Sequence, residues 1–201
     1  MIITITSFKG GVAKTTTAVH LACYLQNKNK KKEDVLLIDG DPNRSCLAWS
    51  KRGQLPVKVI DEKAATRYIK NYEHIIIDTP ARPQSEELEA LAEGCDILLL
   101  PTTPDALAID ALSLTIEALK NVPEIDYRVL LTIIPPKPNR DGDEARELLT
   151  DAGLPVMQSS IGRMIVFQRA ALQGIPVYEV KDKKAQVAWQ QYKKVGKELL
   201  G

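Results

Sequence analysis

The chain has 201 residues, 44 % of them hydrophobic and 26 % charged, with a formal net charge of +1. That length and composition suit one α/β domain over residues 1–201 with a substantial core. They exclude a bilayer-spanning segment, since no apolar run approaches the roughly 20 residues required, and a whole-molecule field strong enough to hold nucleic acid.

The first apolar run, Met1-Ile2-Ile3-Thr4-Ile5-Thr6, predicts a strand over 2–7, and the apolar-periodic stretch from Ala18 to Leu25 lies within a helix over 14–28. Between them stands Lys9-Gly10-Gly11-Val12-Ala13-Lys14-Thr15-Thr16. Strand, glycine loop and helix in this order aim backbone N–H groups and the positive end of a helix dipole at one point, which suits a polyphosphate. Lys14 would add charge at the β/γ-phosphates, and the Thr15 hydroxyl would ligate Mg²⁺. Against the strict pattern G-x-x-x-x-G-K-[ST], the outer glycine positions hold Phe8 and Ala13. A positive φ at Ala13 would strain it by about 1 kcal/mol or more, whereas a negative φ would be tolerated at a helix start; the residues leave both open. Lys28, Lys30, Lys31 and Lys32 read as cations complementing the C-terminus of this helix.

Val35-Leu36-Leu37-Ile38, within a strand over 35–39, ends at Asp39-Gly40-Asp41-Pro42-Asn43. A helix over 44–52, a strand over 57–60 and a helix over 62–70 follow. His74-Ile75-Ile76-Ile77 belongs to a strand over 74–78 that closes on Asp78-Thr79-Pro80. Taken singly, each aspartate segment would pass for a turn after a buried strand. Beside the glycine loop they gain meaning, because parallel sheets present ligand groups at the carboxyl ends of their strands. Asp78 would hold Mg²⁺ through water, since that ion keeps much of its hydration shell. A carboxylate near the γ-phosphate could align an attacking water.

The pattern continues with a helix over 84–94, a strand over 96–100, a helix over 105–120, a strand over 127–133 stopped by Pro135-Pro136-Lys137-Pro138-Asn139, a helix over 141–152, a candidate strand over 155–159, and helices over 163–173 and 183–199. Such alternation predicts an α/β fold, a doubly wound and mostly parallel sheet with helices on both faces. Cys23, Cys46 and Cys95 have no close spacing, which argues against a cysteine-rich metal site or a disulfide framework and suits a reducing cytoplasm. No signal-peptide pattern is present. His20 and His74 stand apart and read as structural.

Residues 181–198 carry six lysines (Lys181, Lys183, Lys184, Lys193, Lys194, Lys197) against Asp182 and Glu198, an excess of +4, and Arg163 and Arg169 fall on the preceding helix. A solvated helix face and a phosphate-binding surface both fit this cluster; only the second predicts steep weakening with salt. Ala188, Tyr192, Val195 and Leu199 recur at helical spacing beside Trp189, a modest stripe that packing on the sheet explains without lipid.

The loop, with lysines at both 9 and 14, resembles that of the ParA/MinD family of deviant Walker A ATPases, K-G-G-x-G-K-[ST]-T, with Ala13 as its one departure. The resemblance runs from the first strand to Ile175-Pro176-Val177-Tyr178-Glu179. It implies a P-loop NTPase fold with ATP and Mg²⁺ as cofactors, phosphate contacts along Lys9–Thr16, and Thr15, Asp39 and Asp78 around the metal. Lys9 would reach the phosphates of a partner across a nucleotide-sandwiched homodimer, and Asp41 would orient the attacking water. Thr79-Pro80-Ala81 resembles the family's second switch. Residues 102–105 and 135–139 would lie near the base or the partner. The family further implies nonspecific DNA binding by the dimer through the C-terminal basic residues, and slow hydrolysis stimulated by an adaptor of ParB type or carboxysome type. The expected location is cytoplasmic and nucleoid-associated. Nothing precedes the first strand, so no helix-turn-helix domain is expected, as in the small ParA type that moves plasmids or protein bodies such as carboxysomes. Two alternatives share the fold: a MinD-like membrane-surface ATPase, and a metabolic ligase with a small-molecule pocket and no salt-sensitive DNA binding.

Overall fold

The computed structural model describes residues 1–28, 34–120, 122 and 125–201. Lys30, Lys31 and Lys32 of the basic run lie outside these described residues. Six strands, β1 (Ile2–Ser7), β2 (Val35–Asp39), β3 (Lys58–Asp61), β4 (His74–Ala81), β5 (Ile97–Thr102) and β6 (Tyr127–Leu131), form one sheet in the order β3-β2-β4-β1-β5-β6. Every pairing is parallel. The connections contain α1 (Lys14–Lys28), α2 (Ser45–Arg52), the single turn α3 (Ala65–Tyr68), α4 (Ser85–Glu93) and α5 (Ala106–Leu119). After β6 come α6 (Asp141–Asp151), α7 (Ile165–Gln173) and α8 (Ala185–Leu200).

Alternation along each strand sends side chains to both faces, so a parallel sheet must be covered on both. Ile3, Ile5, Leu37, Ile76 and Leu99 are buried with residues of α1, α2, α7 and α8. Leu98, Leu100, Val129 and Leu131 are buried with α4, α5 and α6, and Leu36, Ile38 and Ile75 meet the α3 region on that side. The expected doubly wound α/β sheet is therefore present. Helix α8 presses closely on α1: a Cβ added at Gly196 would stand 2.2 Å from the Tyr24 ring. Ala188, Tyr192 and Val195 are buried and Leu199 is half-buried, as expected for packing.

Besides shifts of one or two residues at the ends of elements such as β6 and α7, three elements differ from expectation. The helix expected over 62–70 is a succession of short turns: 3₁₀ at Glu62–Ala64, α3, and 3₁₀ at Ile69–Asn71. The tighter ends let Ala64, Ala65, Tyr68 and Ile69 all reach the small cluster around Leu36 and Ile60. Strand β4 runs on to Ala81, because β1 continues beside it after a register shift between Ile5 and Ser7. The candidate strand over 155–159 does not form. Val156 makes one isolated bridge to Val129, and the N–H groups of Gln158 and Ser159 donate instead to the Glu198 carboxylate.

Candidate functional site

β1 lies between β4 and β5, so its loop emerges where the winding reverses, the usual place for a ligand. Gly11 and Ala13 both have positive φ, 80° and 65°. The open question at Ala13 is thus answered: it occupies the left-handed region that disfavours a Cβ, at a cost of roughly 1–2 kcal/mol. The conformation is held from both sides. The Thr132 hydroxyl donates to the Val12 carbonyl at 3.0 Å, and the Ala13 carbonyl accepts the Thr17 N–H at 2.9 Å, starting α1. With this geometry the loop from Lys9 to Thr16 wraps into the N-terminus of α1.

Lys14 is 7 % exposed. Burial lowers its pKa, while the nearby Asp78 and Asp41 carboxylates act in the opposite sense. Asp39, the last residue of β2, and Asp78, within β4, are Cα partners, so the register alone sets their carboxyls side by side. Both are fully buried. The Thr15 hydroxyl donates to Oδ2 of Asp78 at 2.7 Å, and the Cys46 thiol donates to the same oxygen at 3.3 Å. Oδ1 of Asp78 is buried with no hydrogen-bond partner. Burial raises the Asp78 carboxyl to about 6 despite the Thr15 and Cys46 hydrogen bonds. Burial likewise pushes the Cys46 thiol well above its ordinary range, helped by the Asp78 and Asp39 charges.

Asp39 has a second task. Its Oδ2 accepts the Leu47 N–H at 2.9 Å in the first turn of α2, a position that the local cap, Arg44 at φ 53°, leaves unserved. Arg44 donates to the Asp39 carbonyl at 2.9 Å and pairs with Asp61 at 3.1 Å. Burial raises the Asp39 carboxyl, and the Leu47 and Asp41 N–H groups moderate the shift. Asp41 is half-buried just beyond the end of β2, its Oδ1 accepting the Asn43 N–H at 2.8 Å.

Lys9 is half-buried at the other end of the loop. It lines an open cavity of about 630 Å³ with Gly10, Gly11, Thr103, Asp105, Asn139 and Arg163. A second cavity of about 650 Å³ shares Ile133 and Arg163 with the first and is otherwise walled by Ala13, Thr16, Ile161, Met164, Phe167 and Gln168. Its size and mainly apolar wall suit a flat ring. Ile133 adopts φ 52°, a genuine outlier for a β-branched residue and a sign of constraint at a working site. Of residues 102–105 and 135–139, Thr103, Pro104, Asp105, Pro135 and Asn139 line the front cavity. The second cavity was not legible, because its wall comes from four separate stretches of chain: the loop around Ala13 and Thr16, Ile133, residues 161–171 and Tyr192. Cys46 was also missed: in sequence it is merely the second residue of a short helix.

The basic candidates divide. Lys181, Lys183, Lys184, Lys194 and Lys197 are exposed and Lys193 is half-buried. Arg169 pairs with Asp182. Arg163 does not lie on α7, which begins at Ile165; it faces the loop cavities instead. His20 is fully buried in contact with Trp49, Phe167 and Tyr192, and His74 opens β4. Among the described residues no helix is long and apolar enough to cross a membrane.

Comparison with known proteins matches residues 3–177 to the CobQ/CobB/MinD/ParA nucleotide binding domain. The chain is 33 % identical over 205 residues to the maintenance of carboxysome distribution protein A of Gloeobacter kilaueensis, covering 98 % of this chain and 93 % of that protein. Among solved structures, a plasmid partition protein of Borrelia burgdorferi B31 bound to AMPPNP superposes with a TM-score of 0.75 at 19 % identity, covering 100 % of this chain and 98 % of the other. An ATP complex of a Cyanothece McdA variant gives a TM-score of 0.73 at 16 % identity, with 98 % and 95 % covered.

Proposed function

The chain belongs to the CobQ/CobB/MinD/ParA nucleotide-binding family, and we propose that it is a Mg²⁺-dependent ATPase that dimerises around ATP, binds nonspecific DNA in that state and positions a cargo. The cargo class is a plasmid or a protein body such as the carboxysome, since relatives are named for carboxysome distribution and for partition. An adaptor of ParB type or carboxysome type would stimulate hydrolysis and release the DNA. The protein would work in the cytoplasm, on the nucleoid.

The observation that carries this reading is the pair of lysines on one loop. Lys14 is buried against Asp78 and Asp41, whereas Lys9 stands at the open mouth of the front cavity. In this reading Lys14 and the backbone N–H groups of Gly10–Thr16 hold the chain's own phosphates, and Lys9 reaches the partner's. The donor set fits Mg²⁺: Thr15 offers a hydroxyl, Asp78 an unpartnered anionic oxygen and Asp39 a neighbouring carboxylate. When bound, Mg²⁺ neutralises charge on the β- and γ-phosphates. Asp41, whose charge is felt at Lys14, orients the attacking water. The base occupies the apolar cavity, with Arg163 at its junction with the phosphates. The exposed lysines before and along α8 meet DNA phosphates; Arg169, held by Asp182, contributes less. The apolar side of α8 is already buried, which gives no support to a lipid-entering helix.

The test is DNA retention with ATP, with ADP and without nucleotide across a salt series, using the unsubstituted chain and Lys9→Ala. Retention should require ATP, fall steeply with salt, and disappear together with the dimer in Lys9→Ala. Retention indifferent to nucleotide, or an undiminished ATP-dependent dimer in Lys9→Ala, would break the reading.

A further inference from the structure

Magnesium accounts for the oxygen atoms of this site but not for its sulfur. Cys46 lies in the first turn of α2, and the Asp39–Leu47 hydrogen bond draws that turn against the ends of β2 and β4. The thiol therefore sits between the two aspartates. One donor atom from each of Asp39, Cys46 and Asp78 lies within 4.8 Å of the other two, and all three residues are buried. The cluster holds two carboxylates, yet Oδ1 of Asp78 has no hydrogen-bond donor. A buried carboxylate oxygen without a donor costs desolvation energy that a bound cation would offset. Mg²⁺ takes oxygen ligands and keeps its water. A thiol beside two carboxylates is instead a donor set for borderline and soft divalent ions, which bind sulfur, nitrogen and carboxylate oxygen in compact tetrahedral sites.

We propose that Asp39, Cys46 and Asp78 form a binding site for a thiophilic divalent cation of the zinc class. The cation bonds to the Cys46 sulfur and to one oxygen of each carboxylate. The thiol proton leaves to solvent, no electron is transferred, and the fourth position remains for water. Asp78 is common to this site and to the one that Thr15 completes, so the two cations compete for one carboxylate. A chain loaded with the thiophilic ion would accept Mg²⁺ with nucleotide poorly. Recognition here rests on the three side chains and stands whether or not the protein hydrolyses ATP.

Cadmium is the probe, because its bond to a thiolate gives an ultraviolet charge-transfer band. The full chain carrying Cys95→Ser, which removes the half-buried thiol, is titrated with Cd²⁺ without nucleotide. The band should appear and saturate at stoichiometric metal, and it should be lost when Cys46→Ala is added. No band in the parent chain, or a band that survives Cys46→Ala, overturns the proposal. Should Cys46→Ala fail to fold, crystals of the unsubstituted chain soaked in Cd²⁺ decide the matter. An anomalous peak between Asp39, Cys46 and Asp78 is expected, and a peak elsewhere alone overturns it. Neither readout uses ATP, so loss of the cation site and loss of the ATPase reading are separate results.

Discussion

Two sets of buried polar side chains hang on α1, and they are built on opposite plans. Around His20, every polar atom is used. Its Nδ1–H donates to the Thr16 carbonyl at 2.7 Å and its Nε2 accepts the Val177 N–H at 3.1 Å. A carbonyl can only accept and an amide can only donate, so the ring is the neutral Nδ1–H tautomer. The ring stacks on Tyr192 at 4.8 Å, and the Tyr192 hydroxyl pairs with Thr17 at 3.2 Å. At the start of the same helix, Lys14 is buried with its charge and Asp78 keeps an unpartnered oxygen. The contrast teaches how to read buried polarity. A fully satisfied group locks elements together, whereas an unsatisfied one in a cleft awaits a ligand.

If the His20 region is architecture, the largest loss of stability should come from it. Tyr192→Ala should cost about 3–5 kcal/mol in denaturant unfolding, since it removes a fully buried ring and the hydroxyl that ties α8 to α1. A loss no larger than that of an exposed substitution would erase the distinction.

The loop region should behave in the reverse way. Asp78→Asn removes a desolvated charge, so the nucleotide-free protein should gain on the order of 1–3 kcal/mol at neutral pH, while losing its stabilisation by Mg²⁺ with ATP. Thermal unfolding with and without the ligands measures both effects. A destabilised ligand-free variant would mean that the carboxylate is structural.

The pH profile sharpens the same contrast, because the two groups have opposite signs. The Asp78 carboxyl stands at about 6 against an ordinary 3.8. The folded chain keeps that proton where the unfolded chain has released it. The resulting stability is present below the ordinary value and is lost as pH rises through about 6, on the order of 3 kcal/mol. His20 stands at about 4 against an ordinary 6.5, because burial penalises its charged form. Its contribution is present above the ordinary value and is lost as pH falls through about 4, by a similar amount. Between roughly pH 4 and 6 the two offset each other. In Asp78→Asn, stability should therefore rise more steeply with pH across that window; an unaltered slope would contradict the assignment.

The smallest effect belongs to Ala13. Relieving φ 65° with Ala13→Gly should stabilise the chain by about 0.5–1 kcal/mol, once the greater freedom of unfolded glycine is deducted. A loss of stability would show that the loop fits the methyl group after all.

Much of the fold and the front of the site was legible because the signals are local. The β1-loop-α1 unit has the bounds that apolar periodicity indicates, and the apolar runs of β2 and β4 lead into Asp39 and Asp78, although β4 itself continues to Ala81. Segment 155–159 misled because its pairing with β6 stops at Val129, which bonds Pro155 and Met157, while the Gln158 and Ser159 N–H groups turn to Glu198, about forty positions away. Arg163 misled because charge pattern shows which residues are basic but not where the chain turns before α7.

By itself the sequence determined the alternation of elements, the glycine loop between its two lysines, and the aspartates at the strand ends. Each of these depends on neighbours along the chain and on the period of a strand or helix. Only the tertiary structure decided that Ala13 is held at positive φ, that Asp39 caps α2, that Cys46 stands between two carboxylates, and that one oxygen of Asp78 lacks a donor. Those properties depend on groups brought together across the sheet. The satisfaction of a buried atom is a fact about its surroundings in space, which no stretch of neighbouring residues contains.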